Sequence, residues 1–500
     1  MSRNTFFDPT LQEILQVIKP TRADWDTRIG VIDQLRSVVQ SVECLRGATV
    51  QPFGSFVSNL FTRWGDLDIS VDLFSGSSIL FTGKKQKQTL LGHLLRALRA
   101  NGLWYKLQFV IHARVPILKI VSGHQRISCD ISIDNLEGLL KSRFLFWISE
   151  IDGRFRDLVL LVKEWAKAHN INDSKSGTFN SYSLSLLVIF HLQTCVPAIL
   201  PPLRDIYPKS AVDDLKGVRK TAEESIAQVT AANIARFKSG TAKSVNRSSL
   251  SELLVSFFAK FSDINLKAQE LGVCPFTGRW ENISTNTTWL PKTYSLFVED
   301  PFEQPQNAAR SVSRRNLDRI AQVFQITSRR LASDCNRNSI IAVLTGQHIH
   351  QSLYRTISLH SQHHANGTHN VRNLQGQSRP WNQQMQQNWS QSYNTPNPPY
   401  WPPQQQSRPQ QNWPQNNPRN LQRQPSVQGQ TWPVITQSQT QQKSQNKNGN
   451  RPFKNTSAGS SQNQGHISKP SGHMNGVNSA RPATIIPSQR GQMWRPRYEH

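Results

Sequence analysis

Five hundred residues, 37% of them hydrophobic, suffice for two or three folded domains with full cores. Lysine and arginine outnumber aspartate and glutamate 58 to 32, a net charge of +26, so the expected partner is a polyanion: RNA, DNA or an anionic membrane. The longest apolar run, Leu184 to Leu203, is broken by His191, Gln193 and three prolines, which argues for a buried helix and against a membrane span.

Phe6-Phe7 is followed at once by Asp8-Pro9, so no secretory signal is expected. Cys44, Cys129, Cys195, Cys274 and Cys335 lack paired metal-ligand spacing and read as reduced, mostly buried thiols of an intracellular protein. Leu11 to Val17 and Trp25 to Val42 repeat apolar residues three and four apart, which predicts helices packing on the core within residues 1–44. Ala48 to Pro52 reads as a short strand running into Gly54-Ser55, a turn whose N–H groups and hydroxyl suit a phosphate.

From Asp66 the chain alternates, with Leu67, Ile69 and Val71 on one strand face and Asp66, Asp68, Ser70 and Asp72 on the other. Two carboxylates at close quarters repel, and a divalent cation that prefers oxygen would relieve them. An acidic strand face turned to water has the same pattern. A helix over about 87–101 and strands near 107–111 and 116–121 follow. Residues 125–133 alternate again and place Asp130 with Ser128 and Ser132 on a polar face. If the two acidic strands are neighbours, three carboxylates converge, a set able to hold two magnesium ions about 3.5 to 4 Å apart for in-line nucleotidyl transfer.

After Asn135 the composition turns helical. Lys163 and Lys167 lie four apart on an amphipathic stretch, and by spacing alone they form a solvated lysine face. Asn180-Ser181-Tyr182-Ser183 opens a further helix with N-cap residues. Residues 208–248 read as a flexible insertion with some helix, whose Lys216, Arg219, Lys220, Arg236 and Lys238 face water or RNA. Ser249 to Phe261 returns to a buried helix. From Gly346 onward Gln, Asn, Ser and Pro dominate, and one acid, Glu499, stands against fifteen Lys or Arg. Residues 346–500 are therefore expected to be a disordered basic tail.

Gly54-Ser55, Asp66-x-Asp68 and Asp130 together resemble the DNA polymerase beta-like nucleotidyltransferases, and within them the poly(A)-polymerase-like terminal uridylyltransferases, over about residues 10–340. The resemblance implies an α+β fold: a catalytic nucleotidyltransferase domain of mixed sheet and helices over 45–140, then a helical central domain over 141–345 with a poly(A)-polymerase-associated segment at about 249–305. It implies that Asp66, Asp68 and Asp130 are catalytic and hold two Mg2+ or Mn2+ ions. Gly54, Ser55, Lys163 and Lys167 would hold the triphosphate of UTP, the lysines through the string Val162-Lys163-Glu164-Trp165-Ala166-Lys167. Ser181 and Tyr182 would sit at the base, with the ring stacked on uracil, and Asn135 near the nucleotide.

The string Glu299-Asp300-Pro301-Phe302-Glu303 belongs to the same likeness; Asp300 and Glu303 would shape the base pocket, with Asn307 and Arg310 beside the nucleotide. Lys141 stands where relatives often carry an asparagine near the ribose, and Gln306 where uridine-selective relatives carry a histidine. An amide bonds a uracil or an adenine edge. The implied activity is template-independent addition of UMP to single-stranded RNA 3′ ends, on small RNAs (microRNA or siRNA) or fragments, promoting their decay. The implied setting is a monomer in the cytoplasm, with P-bodies or the nucleus as further locations. A poly(A) polymerase and a catalytically silent RNA-binding scaffold are the alternatives. Trp381, Trp389, Trp401, Trp413, Trp432 and Trp494 resemble hooks that dock into Argonaute proteins; stacking on RNA bases and condensation in granules compete with that reading.

Overall fold

The alternating acidic stretch does build a strand, and it lies inside a sheet. The computed structural model describes residues 7–353 apart from 74–77, 80–81, 241–244, 290–293 and 334–335. Cys335 and the tail tryptophans lie outside the described residues. Helices α1 (Phe7–Ile18) and α2 (Arg22–Ser41) form where the apolar spacing places them, and Thr21 and Asp24 start α2 with reciprocal side-chain and backbone bonds. Strand β1 (Thr49–Phe53) runs into the single turn α3 (Gly54–Val57), followed by β2 (Leu67–Asp72), α4 (Lys84–Asn101), β3 (Trp104–Val110), β4 (Ile117–Ser122) and β5 (Ser128–Ile133). The strand order is β1-β2-β5-β4-β3, with β2 and β5 parallel and the other neighbours antiparallel. Leu67, Ile69, Val71, Ile131 and Ile133 are fully buried, which pins the register of the central pair, because a slip of one residue would turn its acids into the core.

Then come α5 (Leu136–Ser149), α6 (Gly153–Ala168), α7 (Ser181–Gln193), the short α8 (Leu203–Ile206), α9 (Arg219–Ser239), α10 (Leu250–Lys260), the short α11 (Ile264–Lys267), the ribbon β6 (Leu271–Cys274) and β7 (Arg279–Asn282), α12 (Arg314–Ser333) and α13 (Arg337–Leu344). Helix α7 is apolar on every side and buried from Ser183 to Gln193, as the long apolar run suggests. No described helix is long and apolar enough to cross a membrane. Phe7, Leu11, Ile14, Leu15 and Ile18 of α1 share one core with α6, α7, α10, α12 and α13, whereas α2 packs on β1 and α4.

Three expectations change. Most of the insertion read as flexible is the 21-residue helix α9. Its buried Arg219 faces neither water nor RNA: Nη1 lies 2.9 Å from Asp72 Oδ2, and Nε donates to Glu223 at 2.8 Å, while Glu223 also accepts from Arg143 at 2.9 Å. Asp72 is fully buried on the polar side of β2, and a carboxylate there requires a paired cation. The stripe that buries α9, Ala222, Ile226 and Thr230 with Arg219, is narrow and partly polar, so periodicity misses it. Cys44 is exposed, in contrast to the buried Cys129 and Cys274. The folded part also extends past residue 345, since Ile349 and Leu353 are buried in the helical core.

Arg219→Ala is expected to lower stability by about 3 to 5 kcal/mol by leaving Asp72 buried and unpaired. The double variant with Asp72→Asn should recover much of that loss, as read by denaturant unfolding of the full chain.

Candidate active site

Strands β2 and β5 pair with Asp68 opposite Asp130, so both carboxylates emerge side by side, and Asp66 stands one residue before β2. Burial pushes Asp68 up to about 7, with Asp130 and Asp66 adding to the rise; Asp66 is also raised, by burial and then by Asp130. Lys119, opposite Asp130 on β4, donates to Asp130 Oδ2, while Asp130 Oδ1 is buried without a protein partner. Gly54 packs directly on this group. Its φ of +67° suits glycine, and a Cβ there would stand 1.9 Å from Asp68 Oδ2. The Gly54 N–H donates to Ser142 Oγ at 2.6 Å, tying the turn to α5, and half-buried Ser55 follows in α3.

The sequence leads to a convergence of three carboxylates. The register brings Asp68 and Asp130 together, yet among the described residues no trio of Asp, Glu, His or Cys closes to ion-holding distance. Anions that repel stay apart, and Lys119 engages one oxygen of Asp130. The donors nevertheless fit a divalent cation. They are hard oxygens, one is buried and unpartnered, and the proton affinity that neighbouring anions raise at Asp68 is what a cation would lower.

A solvated lysine face holds for only half of the Lys163 and Lys167 pair. Lys163 is 7% exposed, and its Nζ donates to the Leu60 carbonyl at 2.7 Å. Burial, then Lys167, draws its ammonium down to about 8, against the opposing pull of Glu164, Asp68 and Asp66. Lys167 is partly exposed and donates to Glu164 Oε1 at 2.8 Å. Glu164 reads as an indifferent position within its string; in the fold it is a buried carboxylate that fixes Lys167. Ser181 heads α7, where its hydroxyl and the Asn172 amide lie 3.2 Å apart.

A second charged cluster joins the sheet side to the helical side. Asp300 accepts from Tyr182 Oη at 2.9 Å and from Lys141 Nζ at 2.6 Å; Glu303 accepts from the same Nζ at 2.7 Å and from both terminal nitrogens of Arg114 at 2.6 and 3.2 Å. Lys141 Nζ also lies 5.6 Å from the centre of the Tyr182 ring. Lys141 is thus a counter-ion of Asp300 and Glu303, a role that neither its spacing nor its helix face reveals. Arg114 leaves no pattern because it sits between strands.

Two asparagines assigned to the nucleotide are engaged elsewhere. Asn135 caps α5, accepting from Gly138 N at 3.1 Å, and its amide donates to Ser132 Oγ at 3.3 Å. Asn307 is buried and bonds only backbone: Oδ1 accepts from Val298 N at 3.0 Å and Ala309 N at 2.8 Å, and Nδ2 donates to Leu296 O at 2.8 Å. It shapes the loop that carries Asp300 from a buried position. Gln306 closes the same loop through its backbone, which bonds Asp300 N and Glu303 O at 2.8 Å each, and Arg310 is exposed beyond it.

The sequence matches the family described as poly(A) RNA polymerase, mitochondrial-like, central palm domain over residues 7–150. It is 88% identical to Protein HESO1 of Arabidopsis thaliana over 510 aligned residues covering the whole of both chains. Terminal uridylyltransferase cid1 of Schizosaccharomyces pombe is 28% identical over 341 residues, 64% of this chain and 78% of cid1. A solved structure of the Cid1 poly(U) polymerase with MgGTP bound superposes with a TM-score of 0.53 at 25% identity, covering 69% of this chain and 99% of that one. The mtPAP structure in complex with UTP shares the fold, with a TM-score of 0.55 at 20% identity over 68% and 72% of the two chains.

Gly54→Ala is expected to leave a folded protein whose RNA extension falls about 100-fold, the scale of a 1 Å misplacement of a reacting group. Lys141→Met should raise the KM for the nucleotide about tenfold, and Lys141→Arg should restore most of it, because the charge between Asp300 and Glu303 is kept. Steady-state extension assays over a range of nucleotide concentrations check both.

Proposed function

The chain belongs to the poly(A)-polymerase-like terminal uridylyltransferases of the DNA polymerase beta-like superfamily, and from that premise we propose how its site extends RNA 3′ ends and which RNA it takes. The observation that carries the reading is the in-register pair Asp68 and Asp130 with Gly54 pressed against it, a close approach that admits no side chain.

Asp66, Asp68 and Asp130 would hold Mg2+ or Mn2+, two ions in the complete site, which when bound supply Lewis acidity and charge neutralisation at the phosphates. Asp130, whose Oδ1 has no protein partner, would help activate the RNA 3′-hydroxyl by taking its proton. The freed oxygen bonds to the α-phosphorus of UTP in line, the bond from that phosphorus to the bridging oxygen breaks, and pyrophosphate departs. Ser55, Lys163 and Lys167 would hold the triphosphate, and buried Lys163 would do so with a charge that water screens weakly. Tyr182, steered by Asp300 and Lys141, offers its ring to the base.

The RNA is proposed to be a small RNA or RNA fragment with a free single-stranded 3′ end, extended with uridine in the cytoplasm by a monomer and marked for decay. Support comes from the net charge of +26 and from the near-identity to Protein HESO1 along the whole chain. Docking of the tail tryptophans on Argonaute belongs to the same proposal and rests on composition. A poly(A) polymerase remains the second reading on one observation: Gln306 offers an amide, which bonds uracil and adenine alike.

Labelled single-stranded RNA, the purified full chain, magnesium or manganese and each nucleoside triphosphate in turn provide the test. UTP should be preferred, and a clear preference for ATP would overturn the uridine reading. Joint substitution Asp66→Ala and Asp68→Ala should abolish extension while RNA binding, measured by gel shift, survives; unchanged extension would exclude this site.

A further inference from the structure

Beyond Lys167 the surface opens into a cavity of about 790 Å³ that the chemistry above leaves unused. One wall is the end of α6 with Lys167, the other the first turns of α12 with Arg315 and Arg319, and the floor includes Asn170, Asn172 and Asp173. Arg315 and Arg319 are four apart and so share a helix face. Neither has a carboxylate partner among the described residues. Arg319 donates to the Asn170 carbonyl at 2.6 Å, which fixes the guanidinium at the rim without neutralising it. Asp173 is the lone carboxylate of the lining, set against three cationic side chains.

The cavity adjoins the proposed nucleotide-binding residues at two points. Lys167 belongs to both, and it acts electrostatically on Asp66. Asn172, in the lining, pairs with Ser181 at the head of α7. A series of cationic groups therefore leads from the carboxylates through Lys163 and Lys167 to Arg315 and Arg319. An RNA 3′ end reacts at the α-phosphorus, beside the acids; the departing group leaves from the lysine end.

We propose that this cavity is a polyphosphate port, which takes the terminal phosphates of the bound nucleotide and then the pyrophosphate released from it, with Arg315 and Arg319 as phosphate-binding residues. The proposal rests on the transferase reading above. Guanidinium forks match phosphate oxygens in pairs, and a cavity of this size accommodates a pyrophosphate with its water.

The test uses the full chain and inorganic pyrophosphate as the probe. Titration calorimetry gives pyrophosphate affinity without any need for turnover, and product inhibition of UTP-dependent extension gives it during turnover. Arg315→Gln with Arg319→Gln should weaken both about tenfold, leave the KM for RNA within twofold, and melt at the wild-type temperature. Arg315→Lys with Arg319→Lys, which keeps the charge, should fall between and serves if the first variant does not fold. Unchanged pyrophosphate affinity would overturn the port, and so would a raised KM for RNA with pyrophosphate inhibition intact, which would assign the arginines to the RNA backbone. A wild-type chain that extends no RNA yet binds pyrophosphate through these arginines would defeat the transferase reading alone; one that extends RNA but ignores pyrophosphate would defeat the port alone.

Discussion

A carboxylate directly opposite another on a neighbouring strand is an unfavourable pairing, and much of this fold is arranged around it. Asp68 and Asp130 cannot be separated without moving the central strands, because Leu67, Ile69 and Val71 on the far face are locked into the core. The repulsion is offset by two cations, Lys119 from β4 and Lys163 from α6. The offset is incomplete, since one Asp130 oxygen has no partner and Asp68 keeps a raised proton affinity. That residual deficit of positive charge is what makes the site receptive to cations.

The second acidic group behaves in the opposite way. Asp300 and Glu303 share Lys141, and Glu303 adds a bidentate Arg114, so their charge is settled within the protein. A further acid, Asp72, is answered by Arg219 in the same manner. Of the three acidic centres, the one left under-neutralised lies on the central strands, and the neutralised ones tie the sheet to the helical domain and close a buried strand end. The difference lies in direct contact: Lys141 and Arg114 bond Asp300 and Glu303, whereas of Asp68 and Asp130 only Asp130 bonds a cation among the described residues, Lys119, and Lys163 donates to the Leu60 carbonyl.

The acidic strands were legible because alternation and burial agree there: β2 and β5 form where the sequence places them, with Asp68 opposite Asp130. Long-range partners were not legible. Lys141 meets an acid 159 residues away and Lys119 meets one across a strand pair, and such contacts depend on tertiary packing that no local period encodes. Asn135 and Asn307 carry the residue type of a ligand-binding group but do structural work, capping a helix and bracing a loop. Glu164 reads as an indifferent position within its string, whereas in the fold its buried carboxylate accepts from the more exposed Lys167. The extent of helix α9, within a segment read as flexible with some helix, was not legible because the stripe it buries is part arginine and threonine.

Helix α1 packs with α6, α10 and α13, so the chain's earliest described element and its last ones occupy one body, and the five-stranded sheet is an excursion from it. The excursion leaves through the Thr21 corner and returns through the Asn135 corner, both stapled by helix caps. The sheet is thereby moored to the helical body at both ends of its segment, through two turns whose geometry helix caps fix.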